Sequence, residues 1–206
     1  MKIKYYALWF SLICLVVFVF QIVFPGFTDL FVLNDKLPYE IWRFISSIFL
    51  HGSLAHIVSN LFALALFGTI LESVIGSRRF LWVFFVSGVI ANLIAINFYP
   101  LSLGASGAIY GILGALIILR PMIVVWVYSL PMPMFVAGIF WVGAGILGLF
   151  APSNVGDIAH LSGIAIGFIF GMIYSTQIKN HINNIKRNQI IIDENSMRRW
   201  EDVYVK

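Results

Sequence analysis

Polar side chains are rare enough in this sequence that the few placed inside apolar runs can be considered one by one: His56, Asn60, Glu72, Asn92, Asn97, Ser106 and His160. Polar groups in hydrocarbon are costly and need either a packing or a functional account. A serine hydroxyl is a weak nucleophile until an adjacent base takes its proton. Ser106 with His160 could therefore perform acyl transfer if the fold brings them together. His56 and Asn60 lie four residues apart, on one face of a helix. Each residue also has a plainer reading. A serine beside glycines often serves close helix packing, an intramembrane histidine or Asn60 can bond across helices, and Glu72, Asn92 and Asn97 suit structural hydrogen bonds.

The elements that must position these groups are apolar helices. The 206 residues are 61% hydrophobic and 11% charged, whereas a soluble domain is usually about 25% charged. Spanning the hydrocarbon core takes about 20 apolar residues. Six runs qualify as spans, at about 7–24, 54–75, 80–98, 106–119, 134–149 and 158–175. The first follows Lys2 and Lys4, is long for a signal-peptide core and precedes no small-x-small site, so it reads as a signal-anchor. Residues 25–53 form a long loop whose charged, Phe and Trp residues suit the interface. Met122 to Pro133 contains Pro131 and Pro133 and reads as an extended or re-entrant connection, and Ala151 to Asn154 as a turn. Residues 1–175 are thus expected to form a six-span membrane domain, and 176–206 a polar basic tail with room for a surface helix.

Lys and Arg test the topology. With six spans and the N-terminus inside, eleven of the 13 fall on the inner side, and only Lys36 and Arg43 fall outside. This matches the positive-inside rule. His56, Asn60, Ser106 and His160 then all lie near the outer ends of their spans. Gly107, Gly111 and Gly114 in the fourth span and Gly163 and Gly167 in the sixth would let those helices approach closely, bringing Ser106 Oγ towards His160.

Other classes fit poorly. Cys14 is the single cysteine, which excludes an intrachain disulfide. The basic residues form no stripe with interleaved aromatics, so no nucleic-acid partner is expected. The histidines lack the HExxH spacing of a zinc protease, and neither a metal nor a cofactor is expected. Asp157, three residues before His160, reads as favouring a helix N-terminus rather than as a third catalytic residue.

The local strings carry a family resemblance. Gly104-Ala105-Ser106-Gly107, followed by Tyr110-Gly111, resembles the GxSG nucleophile motif of the rhomboid intramembrane serine proteases. Ala159-His160-Leu161-Ser162-Gly163, with Gly167 beyond, is similar to that family's second catalytic motif. His51, His56 and Asn60 match its second span, Trp42-Arg43 its first-loop signature, and Gly68 with Glu72 its GxxxE element. GxSG alone would be weak, since soluble hydrolases share it; here five elements match in order.

The resemblance implies a minimal six-helix all-α bundle with cytoplasmic termini, of a kind suited to a prokaryotic plasma membrane, and a site near the extracytoplasmic face. It implies that Ser106 is the nucleophile, His160 the general base and later acid, and that His56, Asn60 and the Ser106 backbone N–H form an oxyanion hole. It implies that Tyr110 packs on the His160 ring, that Trp42, Arg43 and His51 support loop and site, and that Glu72 is structural. The expected partners are single-span membrane-protein substrates and the lipid bilayer. The rivals are a non-catalytic, rhomboid-like escort of membrane proteins, which would need a lesion in the dyad, and a transporter, which would more typically show internal repeats.

Overall fold

A computed structural model describes residues 3–35, 39–127, 129–150 and 156–204, with the backbone alone at 181–193 and 195. The turn expected at Ala151 to Asn154 and the charge of Lys36 lie outside the described residues.

The first helix, α1 (Tyr6–Val23), buries only Ala7, Phe10 and Cys14. That three- and four-residue spacing is one narrow stripe, while Leu8, Trp9, Leu12, Val16, Val19 and Phe20 are exposed. A helix apolar all round yet packed along one line must face lipid with the rest. The loop after it holds a short α2 (Phe27–Phe31), β1 (Leu33–Asn34), a short α3 (Arg43–Ser46) and a 3₁₀ turn, Ser47–Phe49. Arg43 ties this loop together: Nη1 donates to the carbonyls of Asp29 (2.7 Å) and Val32 (2.8 Å), and Nε pairs with Glu40.

The second apolar run is one helical rod in three parts, α4 (Leu54–Ala63), a π-helical turn (Leu64–Gly68) and α5 (Thr69–Ile75). Ser53 is extended and caps α4, its Oγ accepting from His56 N at 3.1 Å, as an N-cap serine does. Gly68 is where α1 crosses, and a Cβ there would stand 2.8 Å from that of Ala7. One turn further on, Glu72 accepts from the backbone amides of Tyr6 and Ala7, both at 3.1 Å, and from Ser77 Oγ at 2.5 Å. Tyr5, the residue at the α1 N-cap, makes no side-chain cap; the Glu72 carboxylate supplies one from a different helix, at the positive end of the α1 dipole.

Next come α6 (Ser77–Ala95), β2 (Leu101–Ser102), α7 (Ser106–Leu119), β3 (Val124–Val127), β4 (Leu130–Pro133), α8 (Met134–Gly148) and α9 (Asp157–Tyr204). The chain is thus mostly helical, with two small antiparallel pairs. β1 pairs with β2 through Leu33 opposite Ser102, and β3 with β4. The expected extended connection at 122–133 is therefore a hairpin, with Pro131 and Pro133 on a strand that needs few of its own donors. The third helix starts at Ser77, earlier than its apolar run, because hydropathy cannot see a turn set by Gly76 at φ +82°. The tail is not a separate surface helix: α9 continues unbroken through it for 48 residues, about 72 Å.

α7 is the central helix, buried from Gly107 to Leu116 except at Tyr110. It meets α9 backbone to backbone. A Cβ on Gly163 would collide with the Gly107 carbonyl, one on Gly167 with the Gly111 carbonyl, and one on Gly171 would stand 3.1 Å from the Ala115 oxygen. Such glycine contacts let membrane helices pack at the closest separation.

Among the described residues, four helices are long and apolar enough to cross a membrane: Tyr6–Val23, Leu54–Ile75, Ser77–Ala95 and Asp157–Asn180. α7 and α8 are apolar but shorter, 14 and 15 residues.

Candidate active site

A cavity of about 1000 Å³ opens among α4, the end of α6, the 96–105 loop and the first turns of α7 and α9. Ser106, His160, His56 and Asn60 all line it, with Tyr110, Gly104 and Gly107. Their positions follow from local structure. Ser106 is the first residue of α7, so its own N–H is among the amides a helix start leaves unbonded. His160 lies in the first turn of α9, opposite it across the glycine contact. The two side chains share the cavity wall without a hydrogen bond between them; such bonds commonly tighten only when substrate is bound.

The His160 ring lies flat on Tyr110, with centroids 4.1 Å apart and planes within 7°. Stacking fixes the imidazole plane and leaves its edge free for hydrogen bonds. His56 is held from both sides. Gly52 N–H donates to Nδ1 over a long 3.5 Å, which favours the tautomer with its proton on Nε2. Nε2 in turn abuts Gly104, where a Cβ would stand 2.8 Å away, and the φ of +118° at that position already favours glycine. An Nε2–H therefore faces the turn that carries Ser106. Asn60 Nδ2 donates to the His56 carbonyl at 2.8 Å, using one of its two hydrogens, while Oδ1 is buried without a partner.

The supporting residues divide. His51 is 2% exposed and meets His56 edge to face, with centroids 5.1 Å apart. Among the described residues neither His51 nitrogen reaches full hydrogen-bond geometry, the Phe49 carbonyl being the acceptor that influences it. Burial, and secondarily the neighbouring His56, push its pKa down to about 4; the Phe49 carbonyl opposes this weakly. His51 is therefore a neutral wall behind His56. Arg43 acts in the loop, as described, but the Trp42 side chain is exposed. Glu72 lies at the far end of the bundle and takes no part in the cavity. Asp157 lies against Gly148 of α8.

Two further contributors stand out, of which the sequence marked Asn92 as a structural link and did not mark Gln21. Asn92 donates from Nδ2 to the Phe44 carbonyl and to Ser47 Oγ, both at 3.0 Å, and accepts from Ser102 Oγ at 3.0 Å. Ser47 O accepts from Gly104 N–H at 2.9 Å. Asn92 thereby stitches the first loop, α6 and the turn that leads into Ser106; its place in an apolar helix signalled a link, but not to which loops. Gln21 exchanges two hydrogen bonds with the His51 backbone, at 2.9 and 3.2 Å, and no signal flagged it. Among the described residues no cluster of His, Cys, Asp or Glu could hold a metal.

Comparison with known proteins gives the family. The Rhomboid domain family matches residues 38–177. The chain is 30% identical over 150 residues to rhomboid protease GlpG of Haemophilus influenzae, covering 72% of this chain and 77% of that protein. It is 32% identical over 140 residues to putative rhomboid protease YdcA of Bacillus subtilis, covering 65% and 67%. It is 36% identical over 134 residues to rhomboid protease GluP of the same organism, covering 63% of this chain but only 25% of that longer protein. With most of its length inside the family's domain, this integral membrane protein belongs to the rhomboid family.

Proposed function

We propose that the chain is an intramembrane serine endopeptidase that cleaves transmembrane segments of other membrane proteins. The observation that carries this reading is the convergence of Ser106, His160, His56 and Asn60 on one open cavity. Ser106 Oγ attacks the scissile carbonyl carbon while His160 takes its proton. The carbonyl oxygen becomes an oxyanion, met by His56 Nε2–H, the free amide hydrogen of Asn60 and the Ser106 N–H. His160 then protonates the departing amine, which leaves an acyl-enzyme. Water adds to the acyl carbon as His160 removes its proton, and Ser106 is released.

The chain crosses the membrane six times with both ends cytoplasmic, and the cavity opens near the extracytoplasmic face. The eleven-to-two division of Lys and Arg supports this orientation. α7 supports a submerged site: 14 residues reach about 21 Å, short of the roughly 30 Å hydrocarbon core. With Arg120 at one interface, Ser106 sits below the other, and water reaches it through the cavity. Because a helical carbonyl is already hydrogen-bonded, segments weakened by Gly or Pro near the cut are the better substrates.

The test is labelling by a fluorophosphonate probe in detergent together with cleavage of a single-span substrate in liposomes. Wild type should label and cleave. Ser106→Ala and His160→Ala should each lose activity by roughly 10⁴-fold or more while keeping the thermal midpoint. A wild-type chain that binds membrane proteins but neither labels nor cleaves would be an escort, and the protease reading would fall.

A further inference from the structure

A second cavity, of about 510 Å³, lies on the lipid-facing side of α6, far from Ser106. Its lining is Arg78 followed by Leu81, Trp82, Phe85, Val86, Val89 and Ile90. That three- and four-residue spacing is a continuous stripe on one helix face. Arg78 is the only polar group on it. It is exposed, and among the described residues no carboxylate bridges it. Lys4 does not line the groove: its backbone N–H donates to Ser77 Oγ at 2.8 Å and its ammonium lies over the Tyr6 ring, 5.8 Å from the centroid, so the charge at the groove is that of Arg78. The adjacent Arg79 is turned away, over the Tyr174 ring at 5.2 Å. The groove thus has a basic mouth and an otherwise apolar floor.

We propose that this groove is a binding site for one anionic phospholipid, its phosphate on Arg78 and one acyl chain laid along the stripe to Ile90. Two features select this occupant. From Arg78 to Ile90 the stripe runs about 18 Å, little more than one leaflet of a core about 30 Å thick. A partner helix would need the whole thickness, whereas a lipid fills one leaflet. The charge then sets the headgroup, because basic pockets at the membrane surface favour anionic lipids. Trp82, next to Arg78 and exposed, is suited to the headgroup level. The site depends on membrane insertion and not on catalysis by Ser106.

The test uses the full chain in vesicles of equimolar palmitoyl-oleoyl phosphatidylglycerol and phosphatidylcholine, extracted into mild detergent and examined by native mass spectrometry. One phosphatidylglycerol should remain bound in preference to phosphatidylcholine. Arg78→Gln should lower its retention about fivefold, from the roughly 1 kcal/mol that a basic residue contributes at such a surface, and Arg78→Lys should restore most of it. Val86→Trp, which fills the groove, should abolish retention. The thermal midpoint and probe labelling act as folding controls for each variant. Equal retention of the two lipids, or retention insensitive to both substitutions, overturns the site. Loss with Arg78→Gln but not with Val86→Trp reduces it to a surface phosphate contact and overturns it too, as do dimers in place of the lipid adduct.

Discussion

Buried polar groups occur at both ends of the bundle, but they are treated differently. At the Glu72 end, a fully buried carboxylate is met by three donors: the amides of Tyr6 and Ala7 and the Ser77 hydroxyl. At the Ser106 end, His51 Nδ1 and Nε2 and Asn60 Oδ1 are buried short of full hydrogen-bond geometry, beside an open cavity. A buried polar atom left unpaired costs about 1–3 kcal/mol, and Ser87 Oγ, midway along α6, is left so as well. The satisfied cluster acts as a clasp, closing the start of α1 onto the second rod. The other end is less completely satisfied and opens onto the cavity that Ser106 and His160 share.

This contrast can be broken experimentally. The largest effect should come from the two residues proposed as oxyanion donors. His56→Ala or Asn60→Ala should lower kcat by about 10²–10³-fold with the thermal midpoint nearly unchanged; equal losses of stability and rate would make that end structural as well. Glu72→Ala should do the reverse, costing roughly 3 kcal/mol or more by stranding buried donors, read as a lower denaturation midpoint, with kcat per folded molecule retained. Asn92→Ala lies between them: the nucleophile turn loosens, and kcat should fall on the order of tenfold with only about 1 kcal/mol lost. Substitution by Asp, which keeps the acceptor for Ser102 but loses both donated bonds, should recover little.

The smallest effect concerns pH. His51 is held at about 4 in the folded protein, below the ordinary value near 6.5. The unfolded chain therefore binds the proton more readily. The stability contributed by the neutral ring is fully present above pH 6.5 and is lost as pH falls from there towards 4. His51→Gln should flatten that part of the midpoint-against-pH curve. An unaltered slope would assign the acid sensitivity elsewhere.

The helices were largely legible because hydropathy and turn residues dictate them: the second and fourth apolar runs, at 54–75 and 106–119, coincide with observed helices. The π-helical turn at Leu64–Gly68 was not legible, since it reflects the crossing of α1 over Gly68 and not any local preference. Within the site, the types and depth of Ser106, His160, His56 and Asn60 stood out against an apolar background. What fixes their orientation did not. The Gly52 contact to His56, the Asn92 network and the Gln21 clamp on His51 all join segments far apart in sequence, which a one-dimensional pattern cannot pair. Trp42-Arg43 is instructive: the two are neighbours in the motif, yet Arg43 is buried among loop carbonyls and Trp42 faces outward.

The backbone contact between α7 and α9 has a consequence for how the protein meets bilayers of different thickness. A helix that does not match its membrane normally responds by tilting or sliding against its neighbours. Gly163 and Gly167 bring the α9 backbone against the carbonyls of Gly107 and Gly111, a long and close seam that favours movement of the two helices together. Tilting as a pair costs less than separating them. The distance from Ser106 to His160 then depends less on acyl-chain length than the tilt of the pair does.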